Sequence, residues 1–301
     1  MTKLKPVTWA LGLRSTPQSL GVIGRDMGVF ERHGLELRIV REETAGPEGA
    51  RGLLNQEYQF AEFGTVPIVQ AALDGADPLI LMAAEQQSAL FILARAGVSG
   101  PAQLQGGRLG VLSLAGQTGY SAKRMLEQWG VAEAVELVPC QTYPRIYEAL
   151  AEGKLDAGVL TADYKIAGAI AHGIHALADL GAELRYQGPV VATTRRLRDA
   201  QPELVQQVVN AYLDTLRLFK ESDSVTPHLQ RHLGFVDEAQ AGAIRAYYAQ
   251  RFQSRPYPSP EGLMRVIESM RSGRDAPWLT PEALCDTTFL ARALDTTTEN
   301  E

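Results

Sequence analysis

The sequence has little of what marks several classes of protein. Among its 301 residues are only two cysteines, Cys140 and Cys285, far apart along the chain, which support neither a disulfide framework nor a zinc site. Basic residues are not in excess, since 29 Lys and Arg stand against 35 Asp and Glu, for a formal charge of −6. This balance argues against nucleic acid as a partner. No apolar run approaches about 20 residues, so the sequence predicts no membrane span.

The N-terminal residues also lack the features of a secretory leader. Residues 1–6 (MTKLKP) lead directly into an apolar strand, without the apolar core and small-residue cleavage site of a signal peptide. As the sequence stands we therefore expect a cytoplasmic protein. If a leader has been removed, a periplasmic or extracellular location is expected instead.

Short apolar runs bounded by glycine, proline or polar residues alternate with segments of helical spacing, which is typical of an α/β fold with parallel or mixed sheets. The predicted strands cover residues 7–11, 35–40, 58–63, 79–83, 90–94, 108–112, 135–139, 157–160, 175–180 and 190–193. The predicted helices include residues 17–30, 45–55, 120–129, 144–152, 162–171, 202–220, 238–252 and 260–270.

Two glycine- and proline-containing breaks divide this pattern. Residues 97–107 hold four glycines and a proline, and Gly188-Pro189 precedes the last predicted strand. We interpret them as the positions where the chain crosses between two lobes, at residues 95–97 and 184–189. The predicted organisation is residues 1–95 in lobe one, 96–187 in lobe two, and 188–301 returning to lobe one with C-terminal helices.

The most informative stretch is residues 106–131, GGRLGVLSLAGQTGYSAKRMLEQWGV. A buried strand is followed by a small polar turn, residues 113–119, and then by a helix whose first N–H groups can bind an anion. The turn is neither a Walker A loop, since Gly-Lys-Ser/Thr is missing, nor the dinucleotide fingerprint. An ordinary connection between a strand and a helix is the alternative interpretation.

An open sheet binds its ligand beyond the carboxyl ends of its strands, so the residues that follow the predicted strands are candidate ligand contacts. Most carry hydroxyl or amide groups, which suit a small polar or anionic ligand held in a cleft between two lobes. The candidates are Arg14, Ser15, Thr16, Gly64, Thr65, Gln87, Ser88, Ser113, Gln117, Thr118, Gly119, Tyr143, Thr161, Asp163 and Tyr164.

Several of these segments resemble the class II periplasmic-binding-protein family of ABC importers. The resemblance is to aliphatic sulfonate-, nitrate- and taurine-binding proteins and the related thiamine-pyrimidine group. It rests on GVFERHGLELRIV (residues 28–40), FAEFGTVPIVQA (60–71), GGRLGVLSLAGQTGY (106–120), YEALAEGKLDAGVL (147–160) and QPELVQQVVNAYLDTL (201–216). It implies a two-lobed fold of type II that closes on a hinge over its ligand. It also implies an anion at residues 113–119 and a membrane subunit of an importer as partner.

The same fold also hosts enzymes, so two hypotheses remain. The first is a solute-binding protein without chemistry, for which we expect no cofactor and no metal. The second is a cytoplasmic lyase, decarboxylase or desulfinase-like enzyme acting on a small aromatic acid, or an enzyme of pyrimidine or cofactor biosynthesis. The cysteine motifs of the related pyrimidine synthases and desulfinases are missing. The reactive candidates of such an enzyme are Cys140, Arg145, Asp163 and Tyr164.

Three of the reactive candidates also have a structural interpretation. Cys140, a lone cysteine at a strand end, is more typical of a small core residue, and Arg145 of a helix residue that is paired with Glu148 or solvated. Asp163 suits the first turn of a helix, where a carboxylate is favoured by the dipole. We favour the solute-binding protein, and the absence of a leader keeps the enzyme hypothesis open.

Overall fold

The chain divides into two compact units in a computed structural model that describes residues 3–42, 46–168, 172–271 and 274–298. Unit 1 comprises Met1–Gln86 and Gln187–Glu301, and unit 2 comprises Gln87–Tyr186. The first boundary between the units lies after Gln86, before the strand at residues 90–94. The sequence had predicted that the chain crosses between lobes after this strand, at residues 95–97. That strand pairs within the second sheet, which is why it belongs to unit 2.

Ten strands lie in the described part of the chain, at or within two residues of the predicted bounds. They are β1 (Lys5–Leu11), β2 (Leu35–Arg41), β3 (Phe60–Phe63), β4 (Pro78–Met82), β5 (Leu90–Ala94), β6 (Arg108–Val111), β7 (Glu136–Pro139), β8 (Ala157–Thr161), β9 (His175–Asp179) and β10 (Val190–Thr194).

Helices connect these strands and make up the C-terminal part of unit 1. They are α1 (Leu20–Asp26), α2 (Val29–Arg32), α3 (Gly46–Leu54), α4 (Thr65–Leu73), α5 (Gln117–Gln128), α6 (Tyr143–Ala151), α7 (Ala162–Gly168), α8 (Leu180–Leu184), α9 (Arg195–Ala200), α10 (Pro202–Glu221), α11 (Thr226–Leu233), α12 (Glu238–Arg251), α13 (Pro260–Arg271), α14 (Pro281–Leu284) and α15 (Thr288–Thr298). None of the helices described here is long and apolar enough to cross a membrane.

Unit 1 is built on a mixed sheet of order β2-β1-β3-β10-β4. Strands β1, β2 and β3 are parallel, and β10 runs antiparallel between β3 and β4. One face of the sheet carries an aromatic core in which Trp9 stacks on Phe60 and on Tyr212 of α10, with ring centroids 5.7 and 6.3 Å apart. The long amphipathic helix α10 is therefore held against the sheet by aromatic packing.

Unit 2 has a second mixed sheet, of order β7-β6-β8-β5-β9. Strands β6, β7 and β8 are parallel, whereas β5 is antiparallel to β8 and to β9. Leu90 at the start of β5 pairs with Thr161 at the end of β8. The residues that precede β5 consequently lie at the same edge of this sheet as the carboxyl ends of its parallel strands.

Three predicted helices differ from the structure. Residues 17–30 form a 3-10 turn, α1 and α2 instead of one helix, because Gly28 adopts a φ of 67° that an α-helix cannot contain. Helix α5 begins at Gln117, three residues before the predicted start, since Gly116 in extended conformation takes the position before the helix. Helix α7 ends at Gly168, and residues 169–171 of the predicted helix lie outside the described residues.

Glu62 places a carboxyl group in the core of unit 1. It lies in β3 and is 1% exposed. The Tyr212 hydroxyl donates to its Oε1 at 2.8 Å, and the Gly21 backbone N–H, in the first turn of α1, donates to its Oε2 at 3.1 Å. Burial raises the pKa of Glu62 to about 7, because the cost of desolvation exceeds the effect of these hydrogen bonds. The carboxyl group thus joins β3 to α1 and α10.

We expect Glu62 to make the stability of the protein fall as the pH rises toward neutrality. Its pKa in the folded protein, about 7, lies above the ordinary value of 4.5, so the folded protein binds this proton more tightly than the unfolded chain does. The contribution is complete below about pH 4.5 and lost as the pH rises through about 7, and it amounts to about 3 kcal/mol. The neighbouring Tyr212 stays neutral in this range, since burial raises its pKa well above 10.

The measurement is the free energy of unfolding from urea titrations between about pH 5 and pH 8. Glu62→Gln stays neutral throughout and should lack the decrease seen in the wild type. Parallel pH profiles for the two proteins would show that Glu62 does not cause the decrease in stability.

Candidate functional site

The residues after β1 place one charged side chain at the edge of the first sheet. Ser15 and Thr16 are buried, and the Ser15 hydroxyl donates to the Leu13 carbonyl oxygen at 3.3 Å. The Arg14 side chain is 45% exposed, and its Nη2 lies 3.7 Å from the Glu42 carboxylate. Among these three predicted contacts, Arg14 is the one whose polar group is accessible.

Helix α4 begins directly after β3, with Gly64 in the preceding position. Gly64 is extended and provides no side-chain cap, so the first N–H groups of α4 have no hydroxyl or carboxylate of a capping residue in front of them. Thr65, a predicted ligand contact, is fully buried, and its hydroxyl donates to the Gln187 carbonyl oxygen at 2.6 Å. This hydrogen bond joins the start of α4 to the chain that leads into β10.

The loop between β6 and α5 folds tightly onto the first turn of the helix. The Leu112 backbone N–H donates to the Thr118 hydroxyl oxygen at 3.0 Å. A Cβ atom added at Gly119 would lie 2.7 Å from the Leu114 carbonyl oxygen and 2.8 Å from the Leu114 Cα, distances that real Cβ atoms do not show. The absence of a side chain at Gly119 is therefore what allows the loop to pack here.

The remaining residues of this loop differ in exposure. Ser113 and Gln117 are half-buried, whereas Leu114 is 56% exposed. Gly116, which precedes the helix, provides no side-chain cap. The loop therefore places a serine and an exposed leucine beside the start of α5, where Gly116 provides no side-chain cap.

Gln87 and Ser88 lie just before β5. Gln87 is exposed and Ser88 is buried, and the Ser88 N–H donates to the Tyr186 carbonyl oxygen at 3.2 Å. The pairing of β5 with β8 places them at the edge of the second sheet where Thr161 ends β8. The structure therefore brings Ser88, which the sequence placed in lobe one, to the same sheet edge as Thr161 and Asp163 at the end of β8.

At the end of β8 the polar groups bond to one another. Thr161 and Asp163 are both buried, and the Thr161 hydroxyl donates to the Asp163 carboxylate at 2.6 Å. Tyr164 is also buried and packs between Tyr143 and Tyr147, with ring centroids 5.7 and 5.5 Å away. These two tyrosine contacts hold α6 against α7.

The end of β7 holds the predicted thiol and its neighbouring arginine. Arg145 is exposed, and its Nη1 donates to the Gln141 side-chain oxygen at 2.6 Å, rather than pairing with Glu148. The Cys140 thiol donates to the Val138 carbonyl oxygen at 3.4 Å. Burial raises the pKa of Cys140 despite the opposing charges of Arg108 and Arg145. An activated thiolate would require a lowered pKa, so the thiol lacks the environment of a nucleophile.

Among the described residues, no group of three or more His, Cys, Asp or Glu side chains could hold a metal ion. The buried polar residues that were not among the predicted contacts include Glu62, Glu85 and Gln187, all in unit 1. Glu85 accepts a hydrogen bond from Arg251, 166 residues away. Nothing in the local sequence of either residue indicates that pairing.

We expect Cys140 to react slowly with a thiol reagent at neutral pH, and faster as the pH rises, because its pKa is raised. Cys285 should react more slowly still, since burial raises its pKa to about 12. Labelling of the Cys285→Ser and Cys140→Ser variants with an iodoacetamide reporter follows each thiol separately. Rapid labelling of Cys140 at pH 7 would instead support thiol chemistry.

Comparison with known proteins gives the following matches. A family model described as NMT1/THI5 like matches residues 17–221. A comparison with curated proteins returns no match. A solved structure from Bordetella bronchiseptica superposes with a TM-score of 0.85 at 16% identity and covers 98% of this chain and 99% of that chain.

Two further solved structures align with almost the whole of this chain. The alkanesulfonate-binding protein SsuA from Xanthomonas axonopodis pv. citri, bound to MOPS, has a TM-score of 0.72 at 18% identity and covers 97% of each chain. The desulfurization enzyme DSZB has a TM-score of 0.68 at 20% identity, covering 97% of this chain and 99% of that chain. These likenesses confirm the predicted fold, that of the periplasmic binding proteins. A binding protein and an enzyme both share it.

Proposed function

Because the chain belongs to the NMT1/THI5-like family, we propose that it is a solute-binding protein that carries a small organic anion for an ABC importer. The observation that carries the proposal is the start of α5, where a strand, a tight loop and an uncapped helix end follow one another. The helix dipole and the first N–H groups favour an anion at this position.

Some other helices have a side-chain cap where α5 has none, although α1, α2, α10 and α11 also lack one. Helices α6, α9 and α12 follow Thr142, Thr194 and Asp237, whose side chains accept a hydrogen bond from the first turn. Helix α5 follows Gly116 instead, which has no side chain to do so. A ligand oxygen can take the place of the missing cap. Helix α4, after Gly64, has the same kind of start in unit 1.

The side chain next to this helix end favours an organic over an inorganic anion. Leu114 is one of three exposed large hydrophobic side chains among the described residues, with Val40 and Trp278, and it belongs to the loop that packs on the first turn of α5. An apolar group in this position suits a ligand that has a hydrocarbon body beside its anionic group.

The polar groups at the strand ends support binding more than chemistry. Thr65, Thr118 and Thr161 make hydrogen bonds within their own units, and the pKa of Cys140 is raised rather than lowered. The enzyme hypothesis draws its support from the likeness to DSZB, which at 20% identity concerns the fold alone. We therefore favour recognition of an anion over catalysis as the function of this protein.

We expect Gly119→Ala to weaken the binding of 1-octanesulfonate at least about fivefold, because the added methyl group must displace the loop from α5, at a cost of about 1–3 kcal/mol. Titration calorimetry measures the affinity. The matched control is Gly242→Ala in α12, where an added Cβ meets nothing within 4 Å. This control should bind like the wild type and unfold at slightly higher temperature. Equal affinity in all three proteins would show that the anion does not bind at the start of α5.

Leu114→Ser should reduce the preference for a long over a short sulfonate. Burial of a hydrocarbon chain against Leu114 contributes about 0.8 kcal/mol for each buried CH₂ group, so losing the contact of one such group should lower the ratio of affinities for 1-octanesulfonate and ethanesulfonate about fourfold. Val40→Ser changes another exposed aliphatic residue, in β2, and should leave the ratio unchanged. An unchanged ratio of affinities in Leu114→Ser would show that Leu114 does not contact the hydrocarbon chain of the sulfonate.

A further inference from the structure

We propose that Gln187 is a positioning residue, whose buried side-chain amide and backbone carbonyl together hold the two segments that connect the units against the start of α4. The two segments are the outgoing one, residues 83–86, which follows β4, and the returning one, residues 187–189, which precedes β10. The expected effect on ligand affinity rests on the proposed function, whereas the positioning of the two segments by Gln187 does not.

The Gln187 side chain joins the two segments directly. Gln187 is fully buried, and its Nε2 donates to the Glu85 carbonyl oxygen at 2.7 Å. Its Oε1 accepts from the Ser259 N–H, before α13, at 2.6 Å. Because a buried amide must satisfy both its donor and its acceptor, these bonds determine where the two segments lie relative to each other.

The Gln187 backbone extends the connection to α4. Its carbonyl oxygen accepts the hydrogen bond from the Thr65 hydroxyl at 2.6 Å, and Thr65 is the first residue of α4. Its N–H donates to the Gly262 carbonyl oxygen at 3.3 Å. One residue therefore contacts the outgoing segment, the first turn of α4 and the region of α13.

The outgoing segment is also held from its other side. The Arg251 Nε donates to the Glu85 carboxylate at 3.1 Å, and the Glu85 side chain is 2% exposed. The Gln253 N–H donates to the Ala84 carbonyl oxygen and the Ala83 N–H to the Pro256 carbonyl oxygen, each at 2.8 Å. This segment is thus fixed to the end of α12 and to the residues that follow it.

A second hydrogen bond joins the two connections within unit 2, where the Ser88 N–H donates to the Tyr186 carbonyl oxygen at 3.2 Å. Little chain lies between this hydrogen bond and the one from Gln187 to Glu85. One connection has only Gln86 and Gln87 between them, and in the other Tyr186 is followed directly by Gln187. Along both connections, at most two residues therefore separate the bonds made by Gln187 in unit 1 from this bond in unit 2. Gln187 links the start of α4 to these positions.

The test replaces Gln187 by methionine, which keeps the length of the side chain and removes its hydrogen bonds. The first measurement is amide hydrogen exchange without ligand. Gln187→Met should speed exchange about tenfold or more at residues 84–88 and 187–191, since each lost hydrogen bond lowers the free energy of local opening. The second measurement is the affinity for 1-octanesulfonate, which should fall by a similar factor.

The matched control is Gln206→Met in α10. Gln206 also lies in unit 1, and its Nε2 donates to the Asn210 side chain and to the Phe289 carbonyl oxygen, both at 2.9 Å. The control loses comparable bonds away from the connections, so it should lower the melting temperature without changing exchange at residues 84–88 or the affinity. Equal effects of the two variants on exchange would overturn the proposal.

A milder pair of variants covers the case in which Gln187→Met does not fold. Thr65→Val removes the hydroxyl that donates to the Gln187 carbonyl oxygen, whereas Thr65→Ser keeps it. Exchange at residues 187–191 should rise in Thr65→Val and stay near the wild-type rate in Thr65→Ser, and equal rates would again overturn the proposal. If the wild type binds no sulfonate, the proposed function fails, while the exchange measurements still decide the role of Gln187.

Discussion

The first sheet is completed only when the chain returns from unit 2, because β10 lies between β3 and β4 as an antiparallel strand. Without β10, the two strands on either side of it would expose unpaired backbone groups in the middle of the sheet. This placement makes unit 2 an insertion into unit 1. It also brings the outgoing and returning segments side by side, so that a buried amide such as Gln187 can bond to both.

The buried polar residues serve mainly to hold elements in place. Glu62 joins β3 to α1 and α10, Glu85 joins the outgoing segment to Arg251, and Thr161 bonds to Asp163 within unit 2. Each would be costly to bury without its partner. Under the proposed function, the candidate contacts for a ligand are therefore the helix starts that lack a side-chain cap and accessible side chains such as Arg14 and Ser113.

A site of this kind suits recognition. Glycine at positions 64 and 116 leaves the starts of α4 and α5 without side-chain caps, and Gly119 allows the loop before α5 to pack closely. Backbone N–H groups at a helix start are already oriented by the helix, so the proposed recognition of an anion would require little ordering on binding. Cys140, with its raised pKa, adds no activated nucleophile to this arrangement.

The sequence by itself determined the ten strands, since a buried strand such as β5 needs only a local run of apolar residues. It also determined the strand–loop–helix pattern of residues 106–131, although Gln117, Thr118 and Gly119 proved to lie in the helix. Tertiary structure decided the antiparallel directions of β5 and β10 and the use of the Thr65 hydroxyl by Gln187. The contact between Glu85 and Arg251 spans 166 residues. Such pairings depend on which distant segments the fold places together, and local periodicity carries no information about them.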